Sequence, residues 1–476
     1  MKSAWRPDPH PLSSRALIPK CPADLSLILS YRKEARATLV LALPIVVTQL
    51  AHISLGFVDT VMVGRLGPES LAGVALGNTI FFNALIFCMG MLMAVGPLVS
   101  QAFGAEDDDA IGRSVRQGLW LSGILGLVAF LVVYNGETIL RWLGQSEANV
   151  QRAGAYLRAI AWGIFPFLGM VALRSFAEAV SRPRAVTAIV LSGVLVNIAL
   201  NWVLMFGKLG FPELGLVGTG WASTGVYTFN FLLLAGWVLK QPDFARYHIF
   251  SRLSRPDPQM FKELFRIGYP IGASMGIEMS LFMLTVVMMG WIGTTELAAH
   301  QVAIQCAAFT FMVPLGIGMA SSVRVGQAVG KREAEGAWRA GLTGIGLSAS
   351  FMAITALLFL TFPRQIVGLY LDLSEPANLE VITMAVQLLF FAAVFQVVDG
   401  VQVAVMGALR GMKDTYQPMI LSVLSYWGVG LISGYLLAFK AGLAEKGLWI
   451  GLVLGLACAA VLLMIRFTRL SRTKTS

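Results

Sequence analysis

Long apolar segments follow one another along almost the whole chain, separated by short polar segments that hold most of the charges. Each has about twenty residues or more, the length that carries an α-helix across the hydrocarbon core of a bilayer. The short alternating segments of a membrane β-barrel are absent from the pattern. We therefore predict an all-α polytopic membrane protein with twelve transmembrane helices. The predicted spans lie near 36–63, 71–100, 112–136, 152–180, 185–207, 217–240, 263–291, 297–325, 338–362, 380–408, 417–440 and 445–467.

Composition and charge agree with a lipid environment. Hydrophobic residues make up 57% of the chain and charged residues 13%, whereas soluble domains have roughly 25% charged residues. The net charge of +10 comes from basic residues dispersed over loop ends, where they face an anionic leaflet, so we predict no nucleic-acid binding. The four cysteines show no metal-ligand spacing, so neither a zinc site nor a disulfide framework is indicated.

The distribution of basic residues predicts the orientation. With an even number of spans, both chain ends lie on one side of the membrane, and most of the 36 Lys and Arg residues lie in the tails and loops of that side. Because positively charged loops stay in the cytoplasm, we predict an inner (plasma) membrane protein with both termini cytoplasmic. The predicted tails are residues 1–35, expected to be disordered and without a cleavable signal peptide, and residues 468–476.

The chain contains an internal repeat. A shift of 226 residues aligns residues 44–118 with residues 270–344, and 19 of the 75 aligned positions are identical. Roughly six identities are expected by chance in so biased a composition. The identical positions include Gly90/Gly316, Gln101/Gln327 and Gly104/Gly330.

The repeat divides the chain into two halves. Six spans separate the copies, so both copies enter the membrane in the same direction, which predicts two pseudo-symmetric six-helix bundles related by an axis along the membrane normal. We expect an amino-terminal lobe at 36–240 and a carboxy-terminal lobe at 263–467, joined by a cytoplasmic linker loop at 241–262. Such lobes typically enclose a substrate site and expose it alternately to the two sides.

Three of the acidic residues inside predicted spans are candidate functional residues. Glu278 is near the middle of its span, Asp399 is well inside another, and Asp59 lies toward the outer end of the first. A carboxylate at membrane depth is costly unless it has a partner, a proton or an ion, so each is a candidate for ion coupling or substrate binding. The alternative for each is a static ion pair or a protonated acid in the helix packing.

Other polar residues in the spans are ambiguous. His52 is aligned with Glu278 by the repeat, so it could carry protons, or it could be a hydrogen-bonded scaffold residue. Arg174 and Glu178 are four residues apart near the cytoplasmic end of one helix. This spacing favours a self-satisfied ion pair, and we assign the pair no transport role.

Two asparagines and a group of soft side chains complete the candidates. Asn197 and Asn201 share one helix face, so they either tie helices together or offer carbonyl oxygens to a cation. Methionine and aromatic residues are concentrated at the start of each repeat, where they either line a site for organic cations or pack against helices and lipid. They are Phe81, Phe82, Met275, Met279, Phe282, Met283, Met288, Met289, Phe309 and Met312.

Four segments resemble a known family over nearly the whole chain after residue 36. They are LPIVVTQLAHISLGFVDTVMVGRLG (43–67), VNIALNWVLMFG (196–207), GYPIGASMGIEMSLF (268–282) and VVDGVQVAVMGALRGMKDT (397–415). Together, in this order and on two six-helix halves, they are similar to the NorM-type branch of the multidrug and toxic compound extrusion (MATE) transporters. The resemblance implies two six-helix bundles and secondary active export of organic, often cationic compounds in exchange for Na⁺ or H⁺.

The resemblance also implies which residues couple ions and bind substrate. Asp59 and Asn197 correspond to the polar site of the amino-terminal lobe, and Glu278 and Asp399 to the acidic pair of the carboxy-terminal lobe, so either pair could hold Na⁺. Asn201 and His52 are secondary candidates. Some sodium-coupled members carry a Tyr one turn before the second acid. Phe395 stands there in this chain, which removes a hydroxyl ligand for sodium in that lobe.

Competing functions come from other classes. A lipid or polysaccharide-precursor flippase of the same superfamily is the nearest alternative, but flippases usually resemble a fourteen-helix pattern with a more basic cavity. An enzyme would need a nucleophile or metal constellation, and the spans contain none. A channel or receptor is the third alternative. We expect a monomer that needs no cofactor beyond the coupling ion and whose partners are small organic cations, Na⁺ or H⁺, and the bilayer.

Overall fold

The computed structural model describes the backbone of residues 23–473 and the side chains of residues 29–471. Within this part of the chain every regular element is a helix, and twelve helices are long and apolar enough to cross a membrane. The predicted fold class is confirmed. The helices are α1 (Ala23–Gly64), α2 (Pro68–Gly104), α3 (Asp108–Tyr134), α4 (Glu147–Ala179), α5 (Pro183–Phe206), α6 (Gly215–Lys240), α7 (Pro258–Ile292), α8 (Thr294–Gly330), α9 (Ala334–Thr361), α10 (Pro376–Gly411), α11 (Tyr416–Lys440) and α12 (Ala444–Thr473).

Proline explains where two of these helices are irregular. Proline cannot donate the backbone hydrogen bond that continues the preceding turn. Helix α2 is interrupted just before Pro97, between Leu92 and Val95. Helix α4 narrows to a 3₁₀ turn at Ala161–Gly163, just before Pro166. Three further prolines lie inside α1, α7 and α8 without ending them, as neighbouring helices in a membrane permit.

The chain ends differ from their predicted bounds. Helix α1 begins at Ala23, so the prediction of a disordered tail over 1–35 is wrong for residues 23–35; residues 1–22 of that tail lie outside the described residues. One charged residue of this segment, Glu34, accepts two 2.8 Å bonds from Arg324 of α8. Helix α12 likewise continues to Thr473, beyond the predicted start of the second tail.

The segment between the two repeats lies against the amino-terminal half of the protein. It contains one short helix, Pro242–Ala245, and α7 begins at Pro258, inside the predicted linker. Side chains of α3 donate hydrogen bonds to its backbone: Arg116 to the carbonyl of His248 (3.2 Å) and Trp120 to the carbonyl of Leu253 (2.9 Å). The linker is therefore attached to α3 along its length.

The internal repeat is visible in the contacts between the lobes. A Cβ placed on Gly90 of α2 would lie 2.5 Å from the Cα of Gly272 on α7, and one placed on Gly316 of α8 would lie 2.5 Å from a methyl of Val46 on α1. Gly90 corresponds to Gly316 in the repeat, and Val46 to Gly272. The same contact is therefore made twice, as a pseudo-twofold axis between the lobes requires.

A second pair of equivalent contacts lies nearer the membrane face where α1 begins and α12 ends, which we call the terminal side. A Cβ on Gly104 would overlap the carbonyl of Gln327, and one on Gly330 would overlap the carbonyl of Gln101. The Gln101 side chain also donates to the carbonyl of Gly411 (2.8 Å). On this side the two backbones approach so closely that only glycine fits.

Toward the opposite side of the membrane, which we call the far side, the contacting surfaces of α1, α7 and α8 separate. Eleven residues, or about three turns, beyond the contact residues Val46 and Gly272 lie Phe57 and Met283, which are 68% and 55% exposed. On α8, Phe309 lies two turns from the contact glycine and is 60% exposed. The lobes are therefore in contact on the terminal side and leave a cleft, which we call the inter-lobe cleft, open to the far side.

Candidate functional site

The amino-terminal lobe positions Asp59 against α5 and α6. Asn197 and Asn201, one turn apart on α5, donate side-chain hydrogen bonds of 3.0 and 2.6 Å to the same Oδ1 of Asp59. Ser223 of α6 lies 3.3 Å from Oδ2 and donates to it. Asp59 and Asn197 are thus brought together, as the resemblance implied, and Asn201 joins them. Ser223 was not found from the sequence, which offers no signal to single out one serine.

Several oxygens around Asp59 have no partner. The amide oxygens of Asn197 and Asn201 are buried, and neither has a hydrogen-bond partner among the described residues. The same holds for the hydroxyl of Thr219, one turn from Ser223 on α6. Because the carboxylate can only accept, it orients both amides with their NH₂ groups toward Asp59. The remaining oxygens, with the carboxylate, are the hard ligands that Na⁺ and similar cations prefer.

The carboxy-terminal lobe brings Glu278 of α7 and Asp399 of α10 together. The two carboxylates interact electrostatically. Asp399 is 4% exposed and its Oδ1 has no hydrogen-bond partner in the described structure, whereas Glu278 is only partly buried. Two carboxylates in a low-dielectric site cannot both stay ionised without a positive charge nearby. The site therefore requires a proton, a bound cation or a basic side chain.

A basic side chain is present, and sequence reasoning missed it. Arg410, at the end of α10, interacts electrostatically with Glu278 and with Tyr426 of α11. Arg410 follows Asp399 by eleven residues, about three turns, so both lie on one helix face. This spacing could have identified Arg410 from the sequence. Tyr426 also faces both acids and lies in a π-helical segment, Leu424–Leu431. Such widened turns are frequent at functional sites.

The aromatic residue one turn before Asp399 packs in the core. Phe395 is 2% exposed and contacts Phe282 and Trp449 edge to face, with ring centroids 6.0 and 5.8 Å apart. It has no oxygen to offer a cation. The tyrosine that interacts with both acids, Tyr426, comes from α11 instead of α10.

His52 lies in a different network, centred on Arg174 of α4. The guanidinium donates to Glu178 (2.7 Å) and to Gln49 (2.6 Å), and its third nitrogen lies 3.3 Å from Nε2 of His52. Because a guanidinium can only donate, Nε2 of His52 must accept and therefore carries no proton. This geometry favours the scaffold alternative for His52, and the ion pair between Arg174 and Glu178 is present as predicted.

We expect Arg174→Gln to lower stability strongly. The substitution leaves Glu178, whose side chain is 5% exposed, as an unpaired buried carboxylate, which costs about 3–5 kcal/mol. Thermal unfolding of the detergent-solubilised protein measures the loss. Arg158→Gln on the same helix is the matched control, because that ion pair is exposed and worth about 0–1 kcal/mol. Equal effects of the two substitutions would contradict the structural role of Arg174, and adding Glu178→Gln should recover most of its loss.

Comparison with known proteins places the chain in a family. The MatE family model matches residues 44–203 and 270–436. A protein from Mesorhizobium japonicum, described as probable multidrug resistance protein NorM, is 43% identical over 444 residues, covering 93% of this chain and 95% of that protein. A Synechococcus protein with the same description is 41% identical over 446 residues, covering 94% of this chain and 96% of that protein.

Solved structures share the fold. An outward-facing multidrug resistance MATE family transporter of the MOP superfamily superposes with a TM-score of 0.85 at 20% identity, covering 93% of this chain and 97% of that chain. A eukaryotic MATE transporter gives a TM-score of 0.82 at 21% identity, covering 93% and 98%. The repeat, the twelve helices and these similarities agree, and the chain belongs to the MatE family of membrane transporters, in its NorM-type branch.

Proposed function

We propose that this protein is a multidrug efflux antiporter that exports organic, often cationic compounds in exchange for Na⁺ or H⁺. The observation that carries the proposal is an acidic site in each lobe, on either side of a cleft that opens to one face of the membrane: Asp59 in one lobe and Glu278 with Asp399 in the other. Relatives with about 40% identity are described as multidrug resistance proteins, which supports the substrate class. The twelve spans favour an antiporter over a fourteen-helix flippase.

In the amino-terminal lobe, Asp59 with the unpartnered oxygens of Asn197 and Asn201 would hold the coupling ion. Na⁺ would take the two amide oxygens and a carboxylate oxygen as ligands. A proton would instead bind Asp59 itself and remove the charge that orients the amides. Either event neutralises the carboxylate at membrane depth, where an uncompensated charge is costly. Asp59 would therefore bind a positive charge, Na⁺ or a proton, and release it again during each transport cycle.

In the carboxy-terminal lobe, the cluster of Glu278, Asp399 and Arg410 carries one net negative charge when all three are ionised. One further positive charge, from a proton, Na⁺ or a cationic substrate, makes it neutral. A second cation would meet a neutral site in a low-dielectric environment and bind weakly. Competition for a single place is the physical basis of antiport, since substrate and coupling ion are then not held together.

Substrate would enter this cycle through the inter-lobe cleft. Of the soft side chains noted in the sequence, Met279, Met283 and Phe309 are more than half exposed on α7 and α8, where sulfur and aromatic faces suit organic cations. Phe81 and Met289 are buried in the lobes and belong to the core.

In alternating access, the cleft would close on the far side and open on the terminal side. On the terminal side, next to the contact between the lobes, lies a cavity of about 40 Å³ whose lining includes Glu178 of one lobe and Arg410 of the other. If the terminal side is cytoplasmic, as the basic residues indicate, the structure represents an outward-facing state of an inner-membrane protein. Rocking of one lobe against the other would open the terminal side.

Exchange in liposomes tests the proposed function. Purified protein should move a fluorescent organic cation such as ethidium when a Na⁺ gradient or a pH gradient is imposed, because neutralising the acidic sites releases the cation. Separate Na⁺ and pH jumps identify the coupling ion. Protein-free liposomes are the control. Ethidium flux that ignores both gradients, or scrambling of labelled lipid without ethidium flux, would exclude antiport.

A further inference from the structure

A second cavity on the terminal side lies outside both acidic clusters. Its volume is about 530 Å³, many times the roughly 30 Å³ that one water occupies in the liquid. Its walls come from α1, from the turn between α4 and α5, and from the ends of α6 and α8. It therefore lies where the two lobes meet.

One wall of this cavity is positively charged. Arg182, Arg184 and Arg324 line it, and no acidic side chain does. Arg182 forms an ion pair with Asp243 (3.0 Å), and Arg324 forms one with Glu34. Neither acid lines the cavity. Arg184 is exposed and forms no ion pair with any residue that the structure describes. The cavity thus keeps a positive charge that suits an anion.

A second part of the cavity wall is apolar and continues into exposed apolar surface of α1 and α6. Leu41 is buried, Val40 on the same helix is 53% exposed, and Trp237 of α6 is half-buried. Leu43 and Leu239, on the same two helices, are 66% and 61% exposed and extend the apolar surface. Tryptophan at a helix end is typical of the headgroup level of a membrane. A ligand that fits both walls has a charged group and a hydrocarbon chain.

We propose that this cavity binds an anionic phospholipid from the leaflet on the terminal side. Its phosphate would bind Arg184 and Arg182, since guanidinium groups bind phosphate through paired hydrogen bonds. Arg324, whose guanidinium is bonded to Glu34, lines the same cavity. Its acyl chain would lie along Val40 and Trp237. Basic pockets between membrane helices recognise such headgroups. Because Arg182 and Arg184 belong to one lobe and Arg324 to the other, the lipid bridges the lobes on the side where they are in contact.

Native mass spectrometry of the purified full-length protein tests this site by titration with phosphatidylglycerol. The Arg182→Gln/Arg184→Gln variant should bind the lipid about tenfold more weakly than the wild type. Ala185→Trp, which keeps every charge and fills the cavity, should also weaken binding. Arg266→Gln is the matched control, because Arg266 is an exposed arginine of α7 on the same side and outside the cavity, and binding should stay within about twofold of the wild type.

Three results would overturn the proposal. An equal loss in Arg266→Gln would show general surface attraction. Unchanged binding in Ala185→Trp would place the lipid elsewhere. Displacement of phosphatidylglycerol by an equal concentration of glycerol phosphate would show that the site takes a soluble phosphate without acyl chains. Phosphatidylcholine, which has the same chains and no net charge, should bind more weakly than phosphatidylglycerol. These measurements need no transport, so their outcome is independent of the proposed antiport.

Discussion

Glu278→Gln and Asp399→Asn are each expected to reduce organic-cation exchange in liposomes by at least about tenfold, a change of about 1.4 kcal/mol. Each substitution keeps the shape of the side chain and removes one negative charge. Because Arg410 interacts electrostatically with Glu278, the three residues together are then neutral without a bound cation. A neutral cluster does not attract the coupling ion, so exchange stops at the step in which the ion binds.

A double-mutant cycle shows whether the two acids form one site. Since removing either charge already abolishes cation uptake, the double variant should lose little more than the worse single variant. Glu380→Gln is the matched control, because Glu380 lies on the same helix as Asp399 and is exposed, and exchange should be unchanged. Losses that multiply in the double variant would show two independent acids and refute a shared site.

Asp59→Asn is expected to abolish or strongly reduce transport, again by at least about tenfold, while the protein still folds. Asn197 and Asn201 both donate to the same oxygen of Asp59, and the amide oxygen of an asparagine can accept both bonds. The new NH₂ group would face Ser223, whose hydroxyl can accept as well as donate. The substitution thus keeps the hydrogen bonds and removes only the charge.

Transport and thermal unfolding measured on one preparation separate these effects. The unfolding temperature of Asp59→Asn should remain close to that of the wild type while exchange is lost. Glu213→Gln serves as the control, because Glu213 is an exposed acid of the same lobe in the loop between α5 and α6. A fully active Asp59→Asn variant would return Asp59 to the alternative of a static acid in the helix packing.

The hydropathy pattern of the sequence was sufficient to predict the membrane-spanning helices. Every span must satisfy its backbone internally and remain apolar for about twenty residues, so twelve helices could be predicted from the chain alone. The repeat was equally informative, because equivalent residues in pseudo-symmetric lobes make equivalent contacts. Gly104 and Gly330, identical in the alignment, meet the backbones of Gln327 and Gln101. The acids were recognisable because a charge in an apolar span is rare.

The composition of each site was decided by the tertiary structure. Ser223 reaches Asp59 from 164 residues away, and no local pattern marks one hydroxyl among many on the apolar helices. Tyr426 faces the acids of the other cluster from a separate helix. His52, which the repeat aligns with Glu278, instead contacts Arg174, because pseudo-symmetry preserves backbone positions and not the side chains around them.

The side of the membrane to which the cleft opens also could not be predicted from the sequence. The same apolar faces of α1, α2, α7 and α8 can close on either side of the membrane, and a single sequence must encode both arrangements if the lobes alternate. Length, hydropathy and repeat therefore determine which helices form and how the lobes are related. Which side chains meet across them, and which face is closed, depend on contacts between residues far apart in the chain, whose energies a linear pattern does not contain.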